Sequence, residues 1–146
     1  MLEKFSRGIT VVSTKPSGAH ALKIGGNFLI TAMIESLSEA MVFSAAHGVD
    51  PGLFLETVNS ALFQSPFYAA YGKVMLHPPE TPGATIALGS KDMRLFREAA
   101  RAAGVSVPLA DKFAEDLNRA SEAGLGHADW AAGLYKLAQS GAGMAR

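Results

Sequence analysis

The stretch SGAHALKIGGNFLI, residues 17–30, decides how the rest of the chain is read. It is a helical run, apolar nearly all round and therefore expected to be buried on most sides, that opens on the turn Lys15-Pro16-Ser17-Gly18. Between Pro16 and Glu35 only Lys23 carries a formal charge. Two readings fit such a lysine. Its stem lies along apolar surface while its head reaches water, or it is a working group. Burial among Ala21, Leu22, Ile24 and Phe28 would disfavour the ammonium form and equip it for acid–base work. Asn27 lies four residues on, so it shares a face with Lys23 and offers a donor and an acceptor to a bound hydroxyl or carboxylate. The bland alternative for Asn27 is helix packing.

Outward from this run the pattern stays helical. The run extends to about His47, with Leu22, Asn27, Ile30, Ile34, Leu37 and Met41 forming a rough stripe. Gly25-Gly26 weakens the helix by about 1 kcal/mol per glycine, so a neighbouring helix or a ligand is expected to need the missing side chains. Gly48 ends the helix. Asp50-Pro51 and Ser65-Pro66 each pair an N-cap residue with proline at the first helical position. His77–Gly83, HPPETPG, is a loop. Further helices are expected from about Ser90 to Ala103, from Pro108 to near Gly124 and from Asp129 to Gln139. Asp129-Trp130 reads as a cap and staple for the last of these. Met1–Arg7 reads as the end of a helix, and Ile9–Ser13, rich in β-branched residues, as a short strand. The class is all-α, a bundle of about six helices built on the long N-terminal one.

Composition bounds the function. The chain has 146 residues, 49% hydrophobic and 18% charged, with 13 basic against 13 acidic groups. That fits one domain with an apolar excess available for an interface. The charge balance argues against a nucleic-acid partner. There is no cysteine, hence no disulfide or thiolate chemistry. The first residues lack the apolar segment of a signal peptide. The uncharged run Ile24–Ile34 is shorter than the ~20 residues that span a bilayer. The sequence therefore reads as cytoplasmic, with no membrane partner.

Other groups were weighed for chemistry. Ser90-Lys91-Asp92 reads as a helix start, with Ser90 as N-cap and Asp92 at the positive end of the dipole. Free N–H groups there, with Lys91, suit an anion, although an ordinary capped helix explains them as well. His20, His47, His77 and His127 are scattered without metal-ligand spacing, so no metal is expected. His20 precedes Lys23 by one turn and suits the same pocket. Ser17 has no nucleophile elbow around it. Phe63, Phe67, Tyr68 and Tyr71 read as core packing.

Taken with LGSKDMRLFREAARAAGVSVPLA, residues 88–110, the opening stretch resembles the C-terminal domain of the β-hydroxyacid dehydrogenases. That family includes 3-hydroxyisobutyrate dehydrogenases and semialdehyde reductases, and more distantly 6-phosphogluconate dehydrogenases. The resemblance runs from about Gly8 to Gln139. It implies that Lys23 of K-x-x-x-N is the catalytic acid/base, that Gly18 and Asn27 help hold substrate, and that Lys91-Asp92 lie near an NAD or NADP cofactor. The family's G-x-G at six and four residues before the lysine is here Ser17 and Ala19, with Gly18 between. It implies residues 1–16 as the end of a dinucleotide-binding domain and linker, 17–140 as a helical substrate-binding and dimerisation domain, and 141–146 as a tail. The implied partners are a small hydroxy acid or semialdehyde, a second copy in a homodimer, and a Rossmann domain in cis or trans. Without that domain, little turnover is expected of this chain. A catalytically silent helical module that pairs subunits or binds small carboxylates is the alternative.

Overall fold

A computed structural model describes residues 10–143. Six α-helices follow one another: α1 Pro16–Ala46, α2 Pro51–Val58, α3 Pro66–Leu76, α4 Ile86–Ala102, α5 Pro108–Ala120 and α6 Trp130–Gly141. Single π-helical turns extend α2 over Asn59–Phe63 and α5 over Ser121–Leu125. The local start signals act as read. Asp50 accepts from the Leu53 N–H at 2.9 Å, and Ser65 from that of Tyr68 at 3.4 Å, each with proline next in the chain. Asp129 caps α6 by accepting from Ala131 N–H at 3.0 Å, and its other oxygen accepts from Gly83 N–H at 3.2 Å. The α6 cap thereby also holds the end of the proline-rich loop.

The 31-residue α1 is the axis of the fold and packs against every other helix. Ile34, Leu37 and Met41 of α1 meet Ile86 and Met93 of α4, Leu117 of α5 and Trp130 and Leu134 of α6 in one core. Phe28 stacks on Phe96 of α4, with ring centroids 4.6 Å apart, and tilts against Phe113 of α5. By length and composition α1 passes the test for a membrane span, which the shorter run Ile24–Ile34 did not. Its apolar residues Ile34, Leu37 and Met41 are instead seated inside the bundle.

Four expectations need correction. Thr10–Ser13 is not a strand, since no strand pairs with it among the described residues; Ile9 and Met1–Arg7 lie outside them. Helix α4 starts at Ile86, four residues before Ser90, because Thr85 is its N-cap and accepts from Leu88 N–H at 3.2 Å. Ser90 sits inside the helix and donates to the Ile86 carbonyl at 3.0 Å. The first half of α1 is not covered on most sides: Leu22 is 62% exposed and Leu29 65%. A real core face exists, but it runs through Ile24, Thr31, Ile34, Leu37, Ser38 and Met41 and leaves Leu22 outside. The aromatic cluster is only half core. Tyr68 and Tyr71 pack on the core, whereas Phe63 and Phe67 are exposed and stack on those two tyrosines from outside.

Two glycine sites in helices have opposite surroundings. A Cβ on Gly89 would sit 2.7 Å from Cε2 of the buried Trp130 ring, so only glycine admits the indole there. At Gly25 and Gly26 a Cβ would meet nothing within 4 Å, so no neighbour within this chain requires them. The same substitution should therefore have opposite signs. Gly89→Ala is expected to destabilise the chain by about 1–3 kcal/mol through overpacking. Gly25→Ala is expected to stabilise it by up to about 1 kcal/mol through helix propensity. Urea unfolding of the two variants checks both.

Candidate functional site

The two sequence motifs, 65 residues apart, meet where α1 crosses α4. Asn27 Nδ2 donates to Asp92 Oδ2 at 2.6 Å. The other oxygen of Asp92 pairs with Lys91 Nζ at 3.1 Å. The Asp92 side chain is only 9% exposed, so it is a nearly buried carboxylate whose two oxygens face two donors. Removing either donor would leave a poorly compensated charge. The position of Asn27 is itself steadied by α1, where Thr31 Oγ1 donates to the Asn27 carbonyl at 2.9 Å.

Lys23 stands one turn before Asn27 and His20 almost one turn before Lys23; both are exposed. The burial expected around Lys23 is not supplied by the described chain, because Ala21 and Leu22 are exposed with it. Lys91 is half exposed and carries its charge to the surface. Gly18 donates its N–H to the Lys15 carbonyl at 3.0 Å, and its missing Cβ makes room for Ser13. The turn before Lys23 is thus closed by a short-range contact. The exposed Lys23 and the half-exposed Lys91 stand beside the Asn27–Asp92 pair and form a shelf at the surface, with the Asp92 carboxylate nearly buried beneath it.

The anion reading of Ser90-Lys91-Asp92 loses its basis. These residues lie beyond the first turn of α4, so free helix-end N–H groups do not serve them. Ser90, Lys91, Arg94 and Arg97 do line a depression of about 260 Å³ with Ala114 and Asn118 of α5, but its three cations are each paired with a carboxylate, of Asp92, Glu98 and Asp111.

Sequence reasoning passed over Glu35. Burial, and then the nearby Asp116 carboxylate, push its carboxyl up to about 8. The signal available was a lone acid in the apolar run TAMIESL, but its partner lies on a helix far along the chain. A raised folded-state value means the folded state holds this proton more tightly than the unfolded one. Stability is then lost as pH rises from about 4.5 to about 8 and levels above that. Glu35→Gln, which cannot ionise, should gain on the wild type across that interval. The gain should be on the order of a few kcal/mol at pH 8.5 and small at pH 5. Chemical denaturation of both proteins at the two pH values measures it.

Comparison with known proteins adds the following. Residues 17–137 match the family model described as NAD-binding of NADP-dependent 3-hydroxyisobutyrate dehydrogenase. An uncharacterized oxidoreductase, YfjR, of Bacillus subtilis (strain 168) is 37% identical over 133 residues, covering 90% of this chain and 46% of that protein. The 2-hydroxy-3-oxopropionate reductase of Escherichia coli (strain K12) is 27% identical over 108 residues, covering 74% of this chain and 37% of its own. The crystal structure of 3-hydroxyisobutyrate dehydrogenase (ygbJ) from Salmonella typhimurium matches with a TM-score of 0.84 at 24% identity. It covers 93% of this chain and 47% of that one, a likeness of fold. The chain spans less than half the length of these relatives.

Proposed function

The chain belongs to the family of NADP-dependent 3-hydroxyisobutyrate dehydrogenases, and from that premise we propose that it is the substrate-binding and subunit-pairing part of an NAD(P)-dependent oxidoreductase acting on a small 3-hydroxy acid or semialdehyde. The observation that carries the reading is the Asp92 carboxylate bound to both Asn27 and Lys91, which gathers the K-x-x-x-N and K-D motifs into one place. In this reading residues 1–16 lead from a dinucleotide-binding domain, 17–140 form the helical domain and 141–146 are its tail.

The residues of the shelf fit a nicotinamide cofactor. Lys91 offers a half-exposed cation beside the Asn27–Asp92 pair. Such a cofactor supplies or accepts hydride when bound. The chain's own groups do the rest. Lys23 Nζ moves the proton on or off the substrate oxygen as general acid/base. Asn27, with one N–H committed to Asp92, presents its amide oxygen and second N–H to the substrate and fixes its orientation. Asp92 keeps Asn27 and Lys91 at a set separation. The desolvation that Lys23 lacks here is supplied by substrate and cofactor covering the shelf.

Lys23→Ala, in this chain joined to a dinucleotide-binding half, should lower kcat by about 10²–10⁴-fold with little change in KM. Steady-state kinetics decides it: activity surviving that change would remove Lys23 from the chemistry. One observation favours the silent-module alternative, namely the exposure of Lys23. In that case weak carboxylate binding, abolished in Asn27→Ala, would appear without turnover.

The pairing half of the proposal rests on the outer face of α1. Leu22, Gly26, Leu29, Met33, Ser36, Ala40 and Phe43 recur at alternating fours and threes, the spacing of a helix–helix seam. Leu22, Leu29 and Phe43, the largest residues of the seam besides Met33, are each more than 60% exposed. A second α1 laid along this stripe would cover them. Sedimentation equilibrium should show a dimer for the wild type and a monomer for Leu29→Glu, with unchanged circular dichroism.

A further inference from the structure

A cavity of about 480 Å³ lies where α3, the proline-rich loop and the start of α6 meet. Tyr71 and Val74 of α3, Pro79 of the loop, Ala84 just after it and Trp130 of α6 line it. Asp129 is the one charged residue among the described lining residues. Its two oxygens already accept the N–H groups of Ala131 and Gly83. Burial, and then the Asp129 carboxylate, push the Tyr71 hydroxyl above its ordinary value, so it stays neutral. The cavity thus has no cation to hold an anion, and its carboxylate is supplied with donors. It suits an uncharged, apolar group.

Its place on α4 relates it to the shelf. Ala84 precedes Thr85, the N-cap of α4, and Asp92 stands about 10 Å further along the helix axis. Between them Leu88 lies one turn before Asp92, on the same face. It is 40% exposed, an apolar side chain left outside the core. Trp130 of the cavity wall lies over Gly89, the next residue. The two ends of this line are opposite in character. At the shelf stand Lys23, Lys91 and the Asn27 amide; at the other end the wall is apolar and aromatic. An anionic head is drawn to the first and an alkyl tail to the second.

We propose that the substrate is a medium-chain 3-hydroxy acid, its head on the shelf and its alkyl tail passing over Leu88 into the cavity against Tyr71, Val74 and Trp130. The proposal rests on the reading that Lys23 and Asn27 serve such an acid. The tail takes no part in bond making. It adds affinity with each methylene that leaves water, so the cavity sets which acids bind well.

The test titrates 3-hydroxydecanoate and 3-hydroxybutanoate, one head with a long and a short tail, into the 15N-labelled 146-residue chain. A third titration uses 1-heptanol, the tail without the acid. Both acids should shift amides around residues 23–27 and 88–92. Only 3-hydroxydecanoate should also shift those around 71–74, 84 and 130, and it should bind roughly tenfold or more tightly than 3-hydroxybutanoate. Ala84→Leu narrows the cavity and Leu88→Gln interrupts the apolar step. Each should weaken 3-hydroxydecanoate and leave 3-hydroxybutanoate unchanged. Leu88 is exposed, so its variant keeps the test decisive if Ala84→Leu loses its circular dichroism. Equal Kd values for the two acids, or a 3-hydroxydecanoate Kd untouched by Leu88→Gln, would overturn the tail site and leave the shelf reading standing. Binding of 1-heptanol as tight as that of 3-hydroxydecanoate would mean an apolar cleft only and overturn it too. Absence of shelf shifts with either acid would remove the substrate reading itself and the tail site with it.

Discussion

The Asp92 carboxylate is the constraint on which the arrangement of this molecule turns. It sits almost out of water, where an ionised group is costly unless each oxygen finds a donor. Asn27 of α1 and Lys91 of α4 are those donors. The pair fixes α1 against α4 in rotation as well as distance, because Asn27 has one position per turn from which it can reach. That same rotation puts Lys23 on the outer shelf and sends Ile34, Leu37 and Met41 inward. Polar and apolar contacts along α1 therefore specify one register together, and the bundle has little freedom to pack otherwise.

A second fastening point lies at the junction of α4 and α6. Asp129 caps α6 with one oxygen and holds Gly83 with the other. The next residue, Trp130, donates its backbone N–H to the Ala84 carbonyl at 2.8 Å and lays its indole over Gly89. One dipeptide thereby ends the proline-rich loop, sets the entry of α4 and fills the gap left by a helical glycine. The position of Lys91 and Asp92, half a turn beyond Gly89, depends on this contact.

Along α1 two carboxyl arrangements contrast. Asp92, received by Asn27, is fully provided for. Glu35, two turns further along α1, is partly buried beside Asp116, whose own cations are already engaged. That second arrangement costs stability only as pH rises far enough to ionise Glu35, where an uncharged side chain of the same size would avoid burying a charge.

Much of the fold was legible locally. Asp50-Pro51, Ser65-Pro66, Gly48 and Asp129 act within four residues of themselves, so their meaning is carried by the sequence alone. The family was legible too, because K-x-x-x-N and K-D keep their residue types and order. Where reading failed, the deciding partner was remote. Gly89 and Ser90 look like the edge of a helix until Trp130 is seen against the glycine. Leu22 and Leu29 look like core residues, because composition does not say which faces of a helix are covered. Glu35 becomes unusual only when α5 brings Asp116 to it. Sequence by itself determined the helices, their caps and the residue types available for chemistry, since these follow from backbone periodicity and hydrogen bonds a few residues long. Only tertiary structure decided which charges are paired, which apolar faces stay open and which motifs meet, since those depend on contacts between helices far apart in the chain.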